Sequence, residues 1–206
     1  ESLISSIDLS ATILELAGID KPKTIQGNSF VSVLRDPAAV TRTVVFAEHN
    51  WHVNFAHERM VRFGDWMYIR NSFPELQSLC MEQDRSYPAG EELWDMEDAR
   101  KLNPATQRDI FLKPRPAEEL YQISKDPFQM TNLAGNPEVS PHLETLRGLL
   151  DRWVEETGDS VPEDPTPDRV YLEGKKLSPQ PRGTPPGQSQ EATSIHHPGP
   201  ILVNES

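Results

Sequence analysis

The stretch "RMVRFGDWMYIRN", residues 59–71, decides the fold. Two alternating runs flank Gly64 and Asp65, and glycine first in a two-residue loop suits a type II′ turn, so the stretch predicts a tight antiparallel hairpin. N-terminal to it, "TVVFAEH" at 43–49 is short and β-branched, as a buried strand would be. C-terminal to it, "EELYQISKDPFQMTNLAGNP" predicts a strand, an Asp126-Pro127 turn and a loop. Ser140 as cap and Pro141 at the first position then open a helix, in which Leu143, Leu146, Leu150 and Trp153 recur at helical spacing until Gly158. The expectation is an α+β unit, a small antiparallel sheet with a packed C-terminal helix.

The flanks add three pieces. "SSIDLSATILELAG", residues 5–18, predicts a helix with a capping-box spacing at Ser5 and Asp8 and a left-handed stop at Gly18. Ile7, Ala11, Leu14 and Ala17 share one face of it, which is expected to be buried. "IQGNSFVSVLRDP" gives a turn at Gly27 and a short apolar stretch ending before Pro37. Residues 72–118 are polar and irregular apart from "EELWDMEDARKL" and "PATQRDIFL", two short helices ended by "KPRP". From about Asp159 the composition changes: nine of the 19 prolines lie beyond it, among Gly, Ser and Gln. Such a stretch buries too little apolar surface to offset the entropy of ordering it, and predicts a tail that is extended or disordered unless it docks on something. The division expected is therefore 1–40, 41–158 and a Pro/Gly-rich tail at 159–206.

Composition excludes several functions. In 206 residues, 20 Lys and Arg face 32 Asp and Glu, and the net charge of −12 repels phosphate backbones, against generic nucleic-acid binding. An anionic ligand must meet a local cluster of basic groups. The single cysteine, Cys80, rules out an internal disulfide framework and a multi-thiolate zinc site, and no motif around it suggests a nucleophile. No apolar run approaches the roughly 20 residues of a membrane span. The chain opens at Glu1, already inside an amphipathic segment and without methionine or signal peptide, as a cut chain would.

Chemistry concentrates in "EHNWHVNFAHER", residues 48–59, which holds three of the six histidines in a predicted loop between a strand and the hairpin. As a metal site it is weak: His49, His52 and His57 are spaced 3 and 5 apart, and "HERM" lacks the second histidine that a zincin helix needs. A ligand-holding loop fits better. Histidine, asparagine, glutamate and arginine are directional partners for hydroxyls and anions, tryptophan offers a flat face to a sugar ring, and Arg59 could grip a sulfate or carboxylate through two parallel hydrogen bonds. The alternative is that Trp51 and Phe55 anchor the core while the polar residues satisfy loop backbone.

The order of these segments resembles the C-terminal part of a sulfatase of the alkaline phosphatase superfamily. The family pattern is an aspartate-led helix ending in "LAG", a "QG.S" turn with a short hydrophobic helix, an "R.VR...YKYI" hairpin and "ELYDL..DP.E..NLA". It is matched in order over about residues 3–157, with Ala11 in place of a usual proline and Gln122 in place of aspartate. "EHNWH" and "VYLEGKKLSPQ" look most like the heparan N-sulfatase (sulfamidase) branch. The resemblance implies that residues 1–40 end a large α/β domain and that 41–158 form the smaller C-terminal subdomain. It implies a calcium ion and a formylglycine, made from a C/S-x-P-S-R motif, in an N-terminal domain not contained here. In that family the hydrated aldehyde attacks sulfur while the metal and basic groups neutralise the sulfate oxygens. No C/S-x-P-S-R occurs in these residues, so this chain alone is expected to be inactive and to hold no metal and no catalytic residue. Its expected contribution is substrate binding through His49 and His52 first, then Glu48, Trp51, His57 and Arg59. The expected partners are a sulfated sugar, O- or N-sulfated, and the missing N-terminal domain. The expected location is periplasmic, secreted or lysosomal. A phosphodiesterase or phosphonate hydrolase of the same superfamily, or a non-catalytic glycan-binding module, are the alternatives.

Overall fold

The computed structural model describes residues 2–51, 54–78, 85–168, 183 and 195–203, and at 108 and 109 the backbone alone. Strands β1 (Val44–His49), β2 (Glu58–Phe63), β3 (Trp66–Asn71) and β4 (Glu118–Gln122) form one antiparallel sheet in the order β1-β2-β3-β4. The hairpin forms as its sequence dictates: Phe63 pairs with Trp66 across Gly64 and Asp65, and Gly64 alone of the two takes a positive φ, 55°. Helices α1 (Asp8–Leu16) and α2 (Val31–Arg35) precede the sheet, and α3 (Pro88–Asp98) and α4 (Pro104–Thr106) lie in the excursion between β3 and β4. A π turn, Gln107–Phe111, continues α4 in place of the longer helix expected there.

Side chains alternate between sheet faces, so one parity of each strand meets the last helix, α5 (Ser140–Thr157). Val44, Val61, Tyr68 and Leu120 pack there against Leu143, Leu146, Leu149, Leu150 and Trp153 in one buried cluster. Phe46 stacks on Trp153 at 5.5 Å between ring centroids, and Trp66 on His142 at 4.3 Å. The expected helical face of α5 is thus the core face. Its start differs, because Asn136 caps a preceding 3-10 turn, Pro137–Val139, that runs straight into α5, and the Ser140 hydroxyl donates back to the Pro137 carbonyl.

The first helix corrects its expectation. The residues α1 buries are Asp8, Ala11 and Thr12, while Ile7, Leu9, Ile13 and Leu16 are exposed. The reason is an ion pair. Asp8 accepts from Arg42 Nε at 3.0 Å and Nη2 at 2.6 Å and from the backbone N–H groups of Ser5 and Asn28, and that cross-link sets which side of α1 faces inward. Burial pushes the Asp8 carboxyl up, but Arg42 and the two N–H groups outweigh it and leave the pKa below the ordinary aspartate value. Gly27 is glycine for closeness, not for turning: a Cβ there would sit 2.0 Å from the Ile7 carbonyl oxygen.

The described parts of the tail lie on the domain in irregular structure. Thr43 donates its N–H to the Ile201 carbonyl, Val203 N–H donates to the Thr43 hydroxyl, and Gly199 lies against Trp153. Among the described residues, no helix is long and apolar enough to cross a membrane.

Candidate functional site

Strand pairing organises the histidine-rich stretch. Glu48 stands opposite Arg59 and His49 opposite Glu58, so residues 50–57 form the loop closing β1 onto β2. Because successive side chains point to opposite faces, Glu48 and Arg59 share the α5 face with Phe46 and Val61, and His49 and Glu58 share the other. The candidates read as one group are divided between the two sides of the sheet.

On the α5 face Arg59 is only 2 % exposed, and it donates through Nε and Nη2 to the two carboxylate oxygens of Asp159 at 2.7 and 2.8 Å. Its Nη1 reaches Asn50 Oδ1 and the Glu58 carbonyl, each at 2.9 Å, and Glu48 is 3.7 Å from Nη2. Asp159 is placed for this by the end of α5, which runs out at Gly158 beside the strand ends. His57 is also buried. Its Nε2 lies 3.1 Å from the Ser160 carbonyl, which can only accept, so Nε2 carries the proton and Nδ1 accepts from the Ser72 hydroxyl at 2.8 Å. Burial first and the Arg59 charge second hold the His57 pKa below the ordinary imidazole value. Arg59 and His57 both tie the loop to the segment after α5.

On the opposite face the arrangement is open. His49 is 52 % exposed, with Nδ1 3.0 Å from Glu58 Oε2, and the other oxygen of Glu58 accepts from Arg115. Burial raises the Glu58 carboxyl, yet His49 and Arg115 together hold it below the ordinary glutamate value, so it is an anion at neutral pH. Back on the α5 side Glu48 is exposed and accepts from Asn50 Nδ2 at 3.2 Å, and in the loop Trp51 donates Nε1–H to the Pro167 carbonyl at 2.8 Å. Asp168 accepts the Phe55 N–H, and its carboxyl is raised by burial in spite of that bond. His52 lies outside the described residues, as do Cys80, all of "VYLEGKKLSPQ" and Asn204. Sequence reasoning passed over Glu58 and Arg115. Glu58 stood inside the quoted stretch, and its pairing with His49 follows once β1 and β2 are taken as neighbours.

Across most of its length the sequence has known relatives. It is 34% identical over 165 residues to an ulvan-active sulfatase of Formosa agariphila, an alignment covering 77% of this chain and 26% of that protein. The chain is homologous to sulfatases. Arylsulfatase K of Mus musculus is 25% identical over 143 residues, covering 63% of this chain and 25% of its own. The solved structure of a 2-O GAG sulfatase superposes on 72% of this chain and 24% of that one, with TM-score 0.45 and 24% identity. The chain spans about a quarter of the length of the curated relatives it matches. No protein-family model matches it.

Proposed function

We propose that this chain is the C-terminal part of a sulfatase that hydrolyses sulfate esters or N-sulfates of a sulfated sugar, and that it supplies a wall of the substrate pocket. The observation that carries the reading is the 34% identity to an ulvan-active sulfatase over 165 residues, long enough to take in both the sheet and α5. Calcium and formylglycine do not fit the residues described. No group of three or more His, Cys, Asp or Glu side chains among them could hold a metal ion, and the sequence contains no C/S-x-P-S-R. Both belong, in this reading, to a larger N-terminal domain, and no chemical step is assigned to this chain. The outward apolar side of α1, where Ile13 is 64 % and Leu16 62 % exposed, supports such a partner, since contiguous apolar surface of that kind marks a contact. Glu48, His49 and Trp51 are the substrate contacts proposed from the described residues, with His52 beside them in sequence.

The test is sulfate release. The full-length protein, co-produced with a formylglycine-generating enzyme, is expected to free sulfate from ulvan oligosaccharides, measured by ion chromatography, and this chain alone to free none. A full-length protein that releases no sulfate but cleaves a phosphodiester would replace the proposal with the phosphodiesterase alternative.

A further inference from the structure

His49 and Glu58 are cross-strand partners on the open face of the sheet, and their side chains meet at 3.0 Å. Glu58 is held from both sides. Its side chain is 14 % exposed, one oxygen takes His49 and the other takes Arg115, which comes from the segment between α4 and β4. An ionised carboxylate can only accept, so the proton between the two groups sits on His49 Nδ1. In neutral imidazole that leaves Nε2 as the acceptor, and among the described residues Nε2 meets no partner. Glu58 and Arg115 also line a cavity of about 760 Å³ on this face, in which Ile69, Tyr121 and Phe128 offer apolar and aromatic surface beside Glu119. A cavity with aromatic faces and carboxylates suits a polyhydroxylated ring.

We propose that Glu58 is a positioning residue: it holds His49 as the Nδ1–H tautomer so that Nε2 accepts a hydrogen bond from a sugar hydroxyl of the substrate. Arg115 fixes Glu58 in turn. The ligand is a hydroxyl and not a sulfate oxygen, because Nε2 presents a lone pair, and an ionised sulfate has no proton to donate to it. The inference deepens the sulfatase reading and rests on it for the identity of the ligand.

Two measurements separate the parts. Long-range proton–nitrogen NMR of this chain above pH 8 is expected to show His49 as the Nδ1–H tautomer, and Glu58→Gln, which keeps shape while its amide can donate, is expected to shift it toward Nε2–H. A wild-type ring already in the Nε2–H form overturns the positioning role. In the full-length protein, Glu58→Gln and His49→Ala are expected to raise KM for an ulvan oligosaccharide about ten-fold, the loss of one hydrogen bond to a charged network, and to raise KM for 4-nitrophenyl sulfate, which has no sugar hydroxyl, far less. Equal losses on both substrates overturn the hydroxyl assignment. A full-length protein that cleaves neither removes the sulfatase reading and the ligand with it, while the spectrum still decides the Glu58–His49 link.

Discussion

Removing Asp159 should cost this fold more than removing any exposed charge, and the amount can be worked from the geometry. Asp159→Ala takes away both carboxylate oxygens that meet Arg59, at 2.7 and 2.8 Å, from an arginine 2 % exposed. Breaking a buried pair by deleting one partner typically costs about 3–5 kcal/mol, because the remaining charge is left desolvated. Two features place the value at the lower end. Arg59 Nη1 keeps Asn50 and the Glu58 carbonyl, and the exposed Glu48 carboxylate, 3.7 Å away, can swing closer. The expected loss is about 3 kcal/mol. With a urea dependence on the order of 2 kcal/mol per molar, the unfolding midpoint of the full chain should fall by about 1.5 M. The paired variant Arg59→Met with Asp159→Leu should recover much of that loss, since it leaves no uncompensated charge. A shift below about 0.5 kcal/mol for Asp159→Ala, or a paired variant no better than the single one, would refute the reasoning.

Three further outcomes follow from the packing. Asp8→Asn should cost about 3 kcal/mol at pH 7, because it strips the charge facing buried Arg42. The folded Asp8 carboxyl titrates below its unfolded value of about 3.9, so its stabilisation is full above that pH and is lost as pH falls through the lower folded value. Urea midpoints of wild type and Asp8→Asn should therefore converge on acidification from pH 5 to pH 2. Gly27→Ala should lower stability by about 3 kcal/mol in the same assay, since the new methyl would lie 2.0 Å from a backbone oxygen that cannot give way. Leu150→Ala, at a fully buried position between sheet and helix, should cost about 3 kcal/mol and be visible as a lowered thermal midpoint by circular dichroism.

The sheet and α5 were legible because each depends on local signals that agree. Gly64-Asp65 fixes the hairpin, and Leu143, Leu146, Leu150 and Trp153 repeat at helical spacing on the face that is buried. In α1 that logic failed. Apolar residues occupy most of the helix, so periodicity could not say which side faces inward, and the decision fell to Arg42, 34 residues after Asp8. The docking of the tail was illegible for another reason. Its contacts run through backbone carbonyls and single side chains, such as Ile201 with Thr43 and Pro167 with Trp51, and leave no pattern in composition.

At the candidate site, composition located the stretch but did not divide it, and strand parity does. A side chain at the end of β1 or the start of β2 that shares parity with Val44 and Val61 points where α5 packs and is driven to find an internal partner, as Arg59 finds Asp159, 100 residues away. A side chain of the other parity faces the cavity side, where an ion pair such as Glu58 with Arg115 can orient a neighbour without consuming it. His49 has that parity, and half its surface remains open. Histidine and arginine in one short run therefore do different work here: buried Arg59 and His57 tie the chain beside β2 to the segment after α5, while exposed His49 meets only Glu58 among the described residues.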